Sequence, residues 1–534
     1  MLVLDLGLLN NSYAQTGPGH EAISYVGKVT VSKMPQTKGQ QHMFTMPFLP
    51  QSQSAFNEAK SKPKSIHLND TLNGRAPEAF AAAVSGMKMV NVVSSFYGLD
   101  QTQCNCSPPD VQIGVGPAHI VEMVNTSEEI WLKQGTPLTT VSLYTFFSIP
   151  QSDFISDPRV FYDSSSSRWF ASILDVSTDS VKIAVSVSED PTKAWNIYNV
   201  SFGANCPDQP AIAVNDDKLV VSANDFANCL TFPTLVGAQY FVIDKSQLVE
   251  GSQNPSMQSF GPDMAAFSIM PATSLGPTPV LYMVSAYGST NTLKLYSING
   301  SVPNATPHSV NLSINKINIP PGAVQNGTSS LLQTNDDRIV GAVWSNGRLW
   351  LSLTDSCTPA GDLKARSCIR IVELDTATSK VVKDFDIGTA GFYYFYPALT
   401  LDGAGNLYVL FGYSSATAYP GLMLATQTPT TNPDSLASMQ VIQAGAAPDT
   451  SGRYGDYFDV SRDPANMSDV FVAGEFHQTS SGSSPWDTYV GETSYIGAPE
   501  FQSAVPVFVL AIILPVLFRI LGTKKGITLW RRQG

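Results

Sequence analysis

Charge is scarce in this chain of 534 residues: Asp, Glu, Lys and Arg together supply 14% of it, against roughly 25% in an average soluble domain. What charge exists leans acidic, 43 Asp and Glu against 31 Lys and Arg, for a net charge of -12. A field of that sign repels phosphate backbones and excludes a nucleic-acid partner. Histidine is also sparse, and the six residues (His20, His42, His67, His119, His308, His477) are scattered, so a His/Cys metal centre is excluded. Only six cysteines are present, and they fall as local pairs: Cys104 with Cys106, Cys206 with Cys229, Cys357 with Cys368. That spacing points to disulfides, each stapling one loop, with the short Cys104-Asn105-Cys106 ring the most strained of the three. Helical periodicity is missing almost throughout. Alternation at period two, broken by Gly- and Asp-rich turns, takes its place.

That alternation is organised. A hairpin of two short apolar strands, opened by an Asp or an aromatic, recurs seven times: residues 110–115 with 119–124, 157–163 with 168–174, 208–214 with 218–223, 263–268 with 280–285, 337–343 with 348–353, 396–402 with 406–411, and 456–461 with 469–475. A repeat of roughly 50 to 75 residues predicts radial β repetition, which allows one fold to absorb most of a long chain. The fold class is therefore all-β, a β-propeller of seven blades over residues 101–495. Six or eight blades and a two-domain β-sandwich are the alternatives, since the interval from Asp263 to Asp337 is long enough to hide a further blade. Residues 15–100, rich in Gln, Ser, Lys and Pro, read as an extended N-terminal segment.

The two ends carry address signals. Residues 1–14 hold a brief apolar run and a small-residue site of signal-peptide type, although Asp5 interrupts the run. Residues 504–522 form an apolar stretch long enough for a transmembrane helix, followed by a basic tail at 523–534 with Lys524, Lys525, Arg531 and Arg532. The positive charges predict a cytoplasmic tail and an extracytoplasmic propeller. A juxtamembrane linker, 496–503, contains Pro499-Glu500-Phe501. A Pro-Glu-Phe triplet, an apolar helix and basic residues in that order resemble the sorting tails that archaeosortases process, which implies a lipid anchor after cleavage. Acceptor tripeptides for N-glycosylation at Asn69, Asn125, Asn199, Asn299, Asn304, Asn311, Asn326 and Asn466 suit the same location, a cell membrane with the bulk of the chain at the surface.

Residues 157–163 with Arg168-Trp169-Phe170, the run 186–195, and Arg453-Tyr454-Gly455-Asp456-Tyr457 with 461–464 resemble secreted propellers of the sialidase-like superfamily. The resemblance spans about residues 108–490 and implies a fold and a surface setting. Sialidases grip a carboxylate with three Arg and use a Tyr nucleophile, a Glu and an Asp acid. This chain lacks their N-terminal Arg-Ile-Pro motif and a well-formed Asp-box, so no catalytic residue is carried over.

From the residues themselves, Arg453, Asp456 and Glu475, with Asp459 and His477 nearby in sequence, form the strongest candidate catalytic cluster, because paired carboxylates serve as acid and base once burial separates their pKa values. The recurring Asp110, Asp157, Asp208, Asp263, Asp337 and Asp456 predict an oxygen-rich axial ring able to hold Ca²⁺; capping of turns by the same Asp side chains is the alternative. Phe392, Tyr394, Tyr396 and Tyr454 are candidates for a ligand-binding rim. The leading expectation is a membrane-anchored propeller that binds glycans or other surface proteins. A glycoside hydrolase and a structural subunit of a cell-envelope complex are the alternatives.

Overall fold

A computed structural model describes residues 23–36, 44–45, 90–229, 234–431, 436–478 and 486–496. Residues 1–14, Asn69, the Pro-Glu-Phe triplet, the apolar stretch 504–522 and the basic tail lie outside the described residues. Among the described residues no helix is long and apolar enough to cross a membrane.

The chain folds as a seven-bladed β-propeller. Each blade is built on a four-stranded antiparallel sheet whose strands, apart from two supplied by the N-terminal segment, follow chain order from the axis outward; in blade 5 the short strand Thr273–Ser274 adds in parallel to Ile339–Ser345. The inner strands are Gln112–Val115, Ile155–Asp163, Cys206–Val214, Met270–Pro271, Ile339–Ser345, Phe392–Leu401 and Asp459–Arg462 for blades 1 to 7. Inner and middle strands are covered on both faces by neighbouring blades, so they read as nearly unbroken apolar runs; Phe392–Leu401 is buried at every position. Outer strands are wetted on one side and alternate, as Lys380–Ile387 does. The core therefore consists of layers between blades. Val121, Met123, Trp169 and Trp195 knit blade 1 to blade 2, and Leu410, Leu422, Phe458 and Val472 knit blade 6 to blade 7.

The ring closes by mixing the two ends of the chain. Blade 7 takes three strands from residues 459–495 and its outermost strand from Val90–Asp100, paired antiparallel with Trp486–Tyr495. A second leader strand, Ile23–Thr30, pairs with Ala194–Ser201 as a fifth strand of blade 2. The N-terminal segment is thus built into the propeller in part, through Ile23–Thr30 and Val90–Asp100.

The register of the fourth repeat also needs correcting. Asp263 ends the outer strand of blade 3, Met257–Asp263, where its carboxylate accepts the Ala265 N–H at 2.9 Å and pairs with Lys294 at 3.3 Å. An Asp that caps a turn and an Asp that opens an inner strand look alike in sequence.

Call the face at which the inner strands begin the upper face. Connections between second and third strands, and from each outer strand to the next blade, share it. All three expected disulfides form, Cys104–Cys106, Cys206–Cys229 and Cys357–Cys368, and all three lie at this face. So do two long connections, residues 314–338 and 444–458. They interlock through Gln325, which donates to the Asp449 carbonyl and accepts the Asp449 N–H, both at 2.8 Å.

Candidate ligand site at the propeller axis

One residue just before or within the upper half of each inner strand has left-handed backbone, in blades 2, 3 and 6 at a break in the strand register: Asp110 (φ 56°), Asp157 (54°), Gln209 (52°), Ser268 (51°), Asn335 (62°), Tyr396 (54°) and Asp456 (73°). Asp and Asn tolerate this region through local hydrogen bonds, but Tyr and Gln do so at a cost of about 1–2 kcal/mol each. The second strand of the preceding blade holds the turn in place. Asn125 accepts the Asp157 N–H at 2.8 Å, Asn224 the Ser268 N–H at 2.6 Å, and Thr354 the Tyr396 N–H at 3.2 Å. Small polar residues at the ends of the second strands of blades 1, 3 and 5 thus serve as clamps for the next blade.

Four of the recurring Asp reach the axis, and three arginines join them. Arg453 is buried, bonded to Asp456 Oδ2 and, at 2.7 Å, to Gln333 Oε1. Arg338 forks onto Asp336 at 2.6 and 2.8 Å, binds Gln209 Oε1, and approaches Asp208 to 3.9 Å. Arg159 donates to the Pro210 carbonyl at 3.1 Å and stacks over Tyr457, 3.9 Å from its centroid. Asp110 is fully buried; Oδ2 accepts Asn125 Nδ2 at 2.8 Å, while Oδ1 has no hydrogen-bond partner among the described residues. Asp456 Oδ1 likewise lacks one.

The electrostatics follow from crowding carboxylates in a dry place. Burial, then Asp456 and Asp157, hold the Asp110 carboxyl well above its ordinary range, against the pull of Arg453 and Asn125. Burial raises Asp157. Burial followed by Asp157 pushes Asp208 up to about 8. Burial and the same acids keep the Tyr396 and Tyr457 phenols protonated. Asp208 and Asp456 retain 16% and 13% of their side-chain surface in water, so they form the accessible lip of an otherwise buried plug.

Below the plug a cavity of about 420 Å³ runs along the axis towards the lower face, lined by inner strands from every blade. Arg159, Asp459 and Arg462 are among its charged residues. Asp459 is engaged by backbone, accepting Ile113 N–H at 3.1 Å and Val460 N–H at 2.8 Å, and burial raises it to about 7.

Several expected site residues are placed elsewhere. Glu475 is buried behind the Arg453–Asp456 turn, where Oε2 accepts Gly455 N–H at 2.6 Å and Oε1 lies 3.2 Å from His477 Nε2. Burial pushes it up to about 7. Its carboxylate clamps the turn and does not share an open pocket with Asp456. Asp337 accepts Gly288 and Ser289 N–H at 2.8 and 2.6 Å, so neither it nor Asp263 belongs to an axial ring. Among the described residues no three His, Cys, Asp or Glu side chains are arranged to hold a metal ion; the arginines occupy the spaces between the carboxylates. The aromatic run is no rim: residues 392–396 are at most 7% exposed, Tyr394 lying in the core layer with Ile369 and Ile371 of blade 5 and Phe395 packing against Tyr454 at 5.7 Å. Tyr454 is buried too, its hydroxyl donating to the Glu475 carbonyl at 2.6 Å. Asn125 is a buried bridge between the heads of blades 1 and 2, bonded to Pro108, Asp110 and Asp157, and unsuited to carry a glycan.

Sequence reasoning missed Arg159, Arg338, Gln209, Gln333 and Tyr457. A signal for the arginines was present: in a chain so poor in charge, two of them follow a recurring Asp within two residues, and Arg453 precedes one by three.

No known family and no curated protein matches this chain. Solved structures do. A protein of unknown function from Dyadobacter fermentans is 9% identical over 77% of this chain and 100% of its own, with a TM-score of 0.34. An alpha-L-arabinanase from Penicillium chrysogenum, complexed with arabinobiose, is 9% identical over 72% and 92%, with a TM-score of 0.33. A mutant of Trypanosoma rangeli sialidase displaying trans-sialidase activity is 9% identical over 69% and 57%, with a TM-score of 0.34.

Proposed function

We propose that the chain is an extracytoplasmic, membrane-anchored propeller that binds a polyhydroxylated ligand, a glycan, at the axial mouth of its upper face. The observation that carries this reading is the lip itself. Asp208 and Asp456 keep part of their surface in water, with Arg338 and Arg453 fixed beside them. Carboxyl oxygens accept from sugar hydroxyls and guanidinium groups donate to them, so alternating the two suits vicinal diols better than a ligand of one charge. Three disulfides and two interlocked connections stiffen the same face, which lowers the ordering cost of binding.

Hydrolysis of a glycoside is the second reading, favoured by Asp208, whose carboxyl holds its proton up to about 8 while still touching solvent. A proton donor of that kind is what glycosidic cleavage needs. Binding and turnover on a glycan panel, measured for the wild type, Asp208→Asn and Asp456→Asn, test both readings. Binding that both variants abolish, with no sugar released, supports the binding module. Release of reducing sugar that Asp208→Asn stops moves the assignment to hydrolysis. Neither binding nor release by the wild type refutes both.

A further inference from the structure

Every propeller blade ends in an outer strand whose far side has no strand partner, and such an edge invites pairing with another chain. Blade 2 covers its edge with Ile23–Thr30. The outermost strands of blades 1, 2, 3, 5, 6 and 7 each bury at least one residue against the body of the propeller. Blade 4 differs. Its outer strand, Thr306–Ser313, pairs only with Thr292–Asn299, and none of its eight residues is buried. It is the most open edge among the described strands.

Three acceptor tripeptides meet at this place. Asn299 ends the third strand of blade 4, Asn304 lies in the turn, and Asn311 stands on the edge strand opposite Lys294. All three are exposed, and no side-chain hydrogen bond engages their amide nitrogens among the described residues. Asn199 and Asn326 are half-buried, and at two further acceptor asparagines the amide nitrogen is occupied. Asn125 Nδ2 donates to the Pro108 carbonyl and to Asp110, both at 2.8 Å, and Asn466 Nδ2 donates to Asp469 at 2.6 Å.

We infer that Asn299, Asn304 and Asn311 carry N-linked glycans that cover the open edge of blade 4 and keep this chain from pairing edge to edge with a second copy. The inference rests on the extracytoplasmic reading above. In the modifying step the Asn amide nitrogen displaces a lipid phosphate from the anomeric carbon of a lipid-linked oligosaccharide. The N–C1 bond forms, the C1–O bond to phosphate breaks, and the amide proton is lost to a base. A bulky, hydrated chain beside an exposed strand blocks the approach of another strand at about 5 Å, the spacing a ladder requires.

Glycopeptide mass spectrometry of the protein from its native cells, together with surface labelling of intact cells, tests the modification. The expected result is occupancy at Asn299, Asn304 and Asn311 and none at Asn125. A chain that is surface-labelled but unmodified at blade 4 overturns this inference and leaves the surface reading standing. A chain protected from surface labelling removes both. Asn299→Gln/Asn304→Gln/Asn311→Gln in the full chain should then raise the sedimenting mass about twofold with concentration, while retaining the wild-type circular dichroism spectrum. A folded variant that stays monomeric overturns the role in edge protection, and Asn125→Gln serves as the contrast, losing stability without self-association.

Discussion

Glu128 offers the cleanest perturbation in the molecule. It lies in the third strand of blade 1, Ser127–Leu132, cross-strand from Met123 and Val141, both members of the apolar core between blades 1 and 2. Its side chain is fully buried, and neither carboxylate oxygen has a hydrogen-bond partner among the described residues. Burial pushes the carboxyl from 4.5 up to about 8. The folded state therefore holds this proton more tightly than the unfolded chain does. The stability it contributes is fully present below about 4.5 and is lost as pH rises towards 8. At about 1.4 kcal/mol for each tenfold change in proton affinity, the ceiling is roughly 5 kcal/mol; local relaxation and water penetration lower the expectation to about 2–4 kcal/mol. Glu128→Gln keeps the shape, cannot ionise, and carries the same amide burial cost at every pH. Guanidinium unfolding of both proteins at about pH 5, pH 7 and pH 8.5 should show the variant gaining about 2–4 kcal/mol on the wild type across that range. A difference that stays flat with pH, or grows in the opposite direction, refutes the assignment of a buried, protonated Glu128.

Three further outcomes follow from the fold and the plug. Arg453→Met should cost about 3–5 kcal/mol because it leaves Asp456 and Asp110 without their nearest cation, and Arg453→Met/Asp456→Asn should recover most of the loss; denaturant midpoints for the cycle check this, and equal midpoints for the single and double variants refute it. Cys206→Ser/Cys229→Ser opens a loop with a sequence separation of 23 residues and should cost about 3 kcal/mol by chain entropy, read as a lower midpoint with a slope equal to or steeper than that of the wild type. A chain lacking residues 90–100 loses the outer strand of blade 7 and should fail to give a cooperative unfolding transition; a monomer with wild-type cooperativity would show that the ring does not need this closure.

Blade architecture was readable in the sequence because period-two alternation and its spacing are local properties. Six of the seven inner strands lie where the repeat places them. The fourth does not, because Asp263 gives a turn-capping signal identical in sequence to that of Asp110 or Asp157. The disulfide pairs were legible for the same local reason. The candidate site was legible only in part. Recurring Asp marked the heads of the strands, but a one-dimensional pattern carries no information about which heads converge. Asp110, Asp157, Asp208 and Asp456 meet at the axis, whereas Asp337 turns away to hold a loop. The dense aromatic run 392–396 looked like a rim because unbroken apolarity in one strand also describes a strand walled by two neighbouring blades.

By itself the sequence determined the alternation, the repeat, the paired cysteines and the shortage of charge, since each is fixed by residues near one another in the chain. Only the tertiary structure decided that the leader strand 90–100 closes the ring, that Arg159, Arg338 and Arg453 fill the gaps between carboxylates, and that Asn125 is buried while Asn311 is exposed. Those outcomes depend on which distant segments the circular closure brings into contact, and on how much water it leaves beside them.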